Sequence, residues 1–256
     1  MKLSEQAEIV AYDIGFWLSA FTNPHYPLDQ LGRVSVEVCA KLRTLAVISL
    51  VGKADHETFT HNLVRSGRAR VSYLQRVQDA GAGDHHDASA RIEPFFDAVA
   101  AADFALARRI AALSPRDWRQ GHEYEDDWCH AQLAHAVLAP VADVARTQAL
   151  FERWERVLGG QADARLPVLR ALASRDADGF DGAFESLLDQ RAQEIAAEKA
   201  RGRIEEPVMM AARQLFIDGL ALLRMATHLG LKTQTEYRWC PSLARQTCSV
   251  VLASEW

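Results

Sequence analysis

The chain of 256 residues lacks most of the features that announce an enzyme or a membrane protein. It has four cysteines, Cys39, Cys129, Cys240 and Cys248, and no two stand at CxxC spacing. That argues against a zinc knuckle or a thioredoxin-like site. Four widely spaced cysteines also make a poor disulfide framework, so reduced thiols in a cytosol fit better. Gly-rich phosphate loops, a GxSxG elbow and a Walker lysine are missing. His56 and His61 stand five apart, whereas HExxH needs four so that two imidazoles share one helix face. No apolar run approaches the ~20 residues that span a bilayer. Glu5, Glu8 and Asp13 interrupt the N-terminal stretch where a secretory leader needs an unbroken apolar segment. The chain is therefore expected to stay in the cytoplasm. Basic excess is absent too: 29 Lys and Arg face 34 Asp and Glu, for a net charge of −5. General nucleic-acid binders tend the other way.

What is present is helical periodicity. In residues 5–22, Ile9, Ile14, Trp17, Leu18 and Phe21 recur at three- to five-residue steps. NPHYP stops that helix. A second, strongly apolar helix is expected over 28–51, ending at Gly52. Asp55 can cap a third that runs to about Asp79. GAGDHH (81–86) breaks the chain, and any internal division would fall there. Further helices are expected over 94–113, 124–139, 141–158 and 163–174, and from Asp176 or Asp178 to about 200. Another is opened by Pro207 and ends near Gly230. The tail reads as part loop, part short helix. Strand signals are nearly absent. The expected fold is all-α, one body over 1–256 with about nine helices packed largely as antiparallel pairs.

Three stretches could carry chemistry. The first is GHEYEDDWCH (121–130). On a helix, Glu123, Asp126, Asp127 and His130 would lie at i, i+3, i+4 and i+7, on one face. Asp127-x-x-His130 has the spacing of di-iron bundles, but those need the motif twice and two further glutamates. Acids also belong in an ordinary first turn, where they meet orphan N–H groups and the macrodipole. With Tyr124 and Trp128 interleaved, the same acids would suit a protein interface with a basic partner. Cys129 and His130, as neighbours, point in different directions and make a weak thiolate pair. The second stretch, GDHHDAS (83–89), offers His85, His86 and Asp87 to a metal, or is a solvated loop. The third is the arginine stripe Arg65, Arg68, Arg70 and Arg76, which could contact nucleic acid but is more commonly a solvated helix face.

The C-terminal side adds a resemblance. LPVLRALASRDADGFDGAFESLLDQRAQEIAAE begins at Leu166, and PVMMAARQLFIDGLALLRMATHLGLKTQTEYRWCPSL ends at Leu243. Asp176, Asp178, Phe180 and Phe184 form an acidic, Phe-containing helix start. Gly219-Leu220-Ala221-Leu222 leads an apolar helix to Gly230. Glu236-Tyr237 and Cys240-Pro241-Ser242-Leu243 close the segment. Residues 166–243 resemble the Imm49-type immunity proteins of bacterial polymorphic toxin systems. The resemblance implies a cytoplasmic, non-enzymatic protein that needs no cofactor and binds a cognate toxin domain, blocking its active site or its substrate access. Charge density and aromatic content nominate Glu123, Tyr124, Glu125, Asp126 and Asp127 as toxin-facing, with Arg238 and Trp239 as secondary candidates. Two other readings stand beside it. One is a metal-dependent hydrolase or oxidase using Asp126, Asp127 and His130, or His85, His86 and Asp87. The other is a helical scaffold with a different partner.

Overall fold

The computed structural model describes residues 3–201 and 213–248. Over those residues the protein is all-α, as its periodicity predicts. The helices in order are α1 (Leu3–Thr22), α2 (Leu28–Lys53), α3 (His56–Ala80), α4 (Glu93–Ala100), α5 (Phe104–Leu113) and α6 (Glu125–Val137). Then come α7 (Val144–Leu158), α8 (Arg165–Ser174), α9 (Ala177–Ala200), α10 (Ile217–His228) and a 3-10 turn at Ser242–Arg245. The only pairing of β type among the described residues is an isolated bridge between Tyr237 and Cys240.

Helix starts follow cap chemistry. Asp55, Asp103, Asp143 and Asp176 each accept a hydrogen bond from the backbone N–H three residues on, which satisfies one of the orphan donors of the first turn. Gly81 and Gly159 end α3 and α7 in the left-handed conformation, where a glycine carries no Cβ penalty.

One expected helix, 94–113, is two. The chain breaks at Ala102, which is left-handed at φ 62°, and Asp103 caps α5. Apolar periodicity continues across the break, so spacing alone could not reveal it. The helix expected to open at Pro207 has its start outside the described residues. Its C-terminal part is α10, preceded by non-helical Leu215 and Phe216.

Packing is by layers. α2 lies between α1 and α3, α3 supports α4 and α5, and α4 is covered by α10. On the other side α6 packs on α7 and α8, and α8 on α9. One cluster of buried apolar residues runs from Val10 on α1 to Ala244 in the 3-10 turn, with Trp154, Phe95, Phe96, Phe180 and Phe184 among its largest members. The arginine stripe is not a solvated face. Arg70 is buried and donates to the carbonyls of His86, Asp87 and Ala88, so it holds the 84–91 loop against α3. Arg76 donates to the carbonyls of Asn23, Pro24 and Tyr26, tying down the α1–α2 connection.

Candidate functional site

The N-terminal end of α6 meets the 84–91 loop and forms an open hollow of about 720 Å³. Ala90, Arg91 and Glu93 stand on one side; Trp118, Tyr124, Glu125 and Asp127 stand on the other. Arg91 and Glu93 also border a second, narrower cavity of about 280 Å³ between α2, α4 and the start of α10. The two share Arg91 and Glu93 as lining residues.

The rim is built from arginines gripped by acids. Tyr124 is the N-terminal flanking residue of α6, so Glu125, Asp126 and Asp127 fill the first turn. Glu125 accepts from Arg153 at 2.6 Å. The Arg153 guanidinium lies over the rings of Trp128 (4.5 Å) and Trp118 (5.6 Å), a cation–π arrangement that fixes it. Asp127 accepts from Arg165 at 2.7 Å, Asp126 stands 3.8 Å from the same guanidinium, and Asp163 holds Arg165 from beneath. Burial raises the Asp163 carboxyl, yet its hydrogen bonds and charge contact with Arg165 outweigh that and leave it below the ordinary range.

Glu123 departs from the expected pattern. It lies before the helix rather than on its face. Its side chain turns back to accept from the Ala90 N–H (2.8 Å) and the Ser89 hydroxyl (3.2 Å). Burial raises its pKa, opposed by those two bonds and by Arg119. Glu123 therefore clasps the 84–91 loop. Among the residues that line the hollow, Tyr124 is an exposed aromatic, 80% exposed at its mouth.

His130 does not join the carboxylates. It is buried between Phe96 and Trp154, with ring centroids at 5.7 Å from each. Burial, with Arg165 adding repulsion, pushes its pKa down to about 4. The Asp126, Asp127 and His130 set is thus not assembled. Burial likewise pushes the Cys129 thiol up to about 12, which leaves no thiolate beside His130. Trp128 points into the core. The His85, His86 and Asp87 set is not assembled either, because Asp87 is turned inward onto Arg119. Arg238 and Trp239 sit on the turn beside α10. Arg238 stacks on the Trp239 ring at 3.9 Å, and the Trp239 carbonyl accepts from Phe216 N–H at 2.9 Å. Neither borders the hollow.

The narrow cavity carries a feature that spacing alone did not expose. Arg43 donates to Asp97 (2.6 Å) and to Asp218 (2.5 Å), and Ser66 donates to Asp97 at 2.6 Å. Asp97 is fully buried. Burial raises its pKa to about 6, against the lowering effect of Arg43 and Ser66. A lone Asp inside PFFDAVAAA was the available signal, since a charge on an apolar helix needs a buried partner.

A family model described as Immunity protein 49 matches residues 30–244. The chain belongs to the immunity protein 49 family. The likeness is wider than the 166–243 stretch that carries it in the sequence, and takes in both the cavity floor and the α6 rim. α1 lies outside the matched span. No curated protein and no solved structure matches the chain.

Proposed function

We propose that this immunity protein 49 family member binds a cognate toxin domain in the cytoplasm and neutralises it by covering the toxin's working surface, without catalysis of its own. The observation that supports this face is Tyr124. It stands bare on the rim of an open hollow, ringed by carboxylates already oriented by Arg153 and Arg165. Tyrosines of this kind make interface anchors, because they offer a large contact area at low rotamer cost. The acids around it are balanced by their own arginines, so this rim offers oriented carboxylates for short-range pairing rather than a bare negative patch. Glu125, Asp126 and Asp127 thus belong to the contacting face. Glu123 supports it from behind, whereas Arg238 and Trp239 lie away from the hollow and stand outside this face.

The test uses a candidate cognate toxin domain, sought among the genes neighbouring the one for this chain. Purified chain and toxin are mixed and followed by calorimetry, and the toxin's activity is assayed with and without the chain. The expected result is a tight 1:1 complex and loss of toxin activity. Absence of binding at micromolar concentrations would contradict the reading.

A further inference from the structure

The 84–91 loop carries a cluster that the toxin-facing reading leaves unused. Asp84, His85 and His86 bring one ligand atom each to within 4.8 Å of one another. Among the described residues this is the only such group of three. Its members are held in place from several sides. The Asp84 Oδ1 accepts from the Tyr73 hydroxyl (3.1 Å) and from the His86 backbone N–H (2.8 Å). That leaves Oδ2 facing the His86 Nδ1 at 2.9 Å. The His86 carbonyl is fixed by Arg70 at 2.6 Å. The His86 side chain lies against α2 where residue 32 is glycine. A Cβ there would stand 2.8–2.9 Å from the His86 Cβ, Cγ and Nδ1, so only a hydrogen leaves room for the imidazole. The His85 ring lies 3.8 Å from that of His86, on the solvent side.

We propose that Asp84, His85 and His86 form a three-ligand site for a first-row divalent metal of the zinc or nickel type, open to solvent at its remaining positions. Two imidazoles and one carboxylate suit such borderline cations. Metal–nitrogen and metal–oxygen bonds of about 2.0–2.2 Å put two tetrahedral ligand atoms roughly 3.3 Å apart. The Asp84–His86 pair at 2.9 Å needs to open by only a few tenths of an ångström to admit the ion. Tyr73 and the His86 amide already orient the carboxylate, the role that supporting partners play around metal ligands. Asp87 takes no part. The consequence is local stiffening: the same loop reaches the open hollow at Ala90 and Arg91. The inference does not depend on the toxin reading, because its readout is metal content.

The experiment uses untagged full-length protein, stripped with chelator and titrated with Zn²⁺ at pH 7.5 by calorimetry. The expected result is one ion per chain, with Tm raised by zinc. His85→Ala, at an exposed position, should bind at least about tenfold more weakly, and Asp84→Asn likewise. Tyr73→Phe should weaken binding by about tenfold through the carboxylate's orientation. Cys248→Ser should leave binding unchanged. Three results overturn the proposal: no stoichiometric zinc, unchanged affinity in folded His85→Ala, or loss of zinc in Cys248→Ser. Circular dichroism of each variant reports whether it is folded.

Discussion

The narrow cavity, with Asp97 at its floor, and the α6 rim of the open hollow treat carboxylates in opposite ways. At the floor, Asp97 is fully buried and shares Arg43 with Asp218. At the rim, Glu125, Asp126 and Asp127 keep about a third of their side chains in water while paired to Arg153 and Arg165. The chemical groups are the same; the dielectric around them is not. A buried pair holds structure strictly, because removing one partner strands a charge away from water. A rim pair is screened and adds little to stability, so it is free to re-pair with a binding partner. Breaking a pair should therefore cost most at the floor, and the rim is where contact with another protein is affordable.

That contrast can be broken by substitution. The largest effect is expected at the floor: Arg43→Ala should destabilise the fold by about 3–5 kcal/mol in urea unfolding, because Asp97 loses its counter-charge. A loss under about 1 kcal/mol would mean that the floor pair is dispensable. His130, behind the rim, should set a pH dependence. Its folded pKa of about 4 lies below the ordinary 6.5, so its unfolded form binds the proton more readily. Stability from this group is present above pH 6.5 and is lost as the pH falls toward 4, by about 2 kcal/mol at pH 5. Asp97 runs the other way: its folded pKa is raised to about 6, so its contribution declines as the pH rises from about 4 to 6. His130→Asn should therefore flatten the acid-side decline in Tm between pH 7 and 5, while an unchanged slope would remove His130 as its source. Asp127→Asn at the rim should cost less than about 1 kcal/mol. Smallest of all, Tyr124→Ala should leave stability within about 0.5 kcal/mol, as for an exposed residue with no buried packing.

Much of the fold was legible in the sequence because caps and helical periods are local. Asp55, Asp176 and Gly159 act where their chemistry indicated. The break at Ala102 was missed, because the apolar run continues across it; its one mark in the sequence is Asp103, the cap of α5. The site was legible only in outline. The acids of GHEYEDD could be placed at a helix start, but the arginines that neutralise them come from 28 and 38 residues further on. Those distances along the chain belong to tertiary packing, not to any spacing rule. The same holds for Glu123, whose partners are the Ser89 hydroxyl and the Ala90 amide on a different loop, and for Arg70, a stripe residue that the fold buries.

In the proposed function the α6 rim, rather than another exposed surface, meets the toxin. The most direct measurement compares toxin affinity for Tyr124→Ala with that for Phe16→Ala, a second exposed aromatic, on α1 and outside the family match. Tyr124→Ala should weaken binding by at least tenfold, an anchor's worth of about 1.4 kcal/mol or more, and Phe16→Ala should leave it unchanged. Unchanged affinity for Tyr124→Ala, with a loss for Phe16→Ala, would place the toxin on α1 and contradict the account.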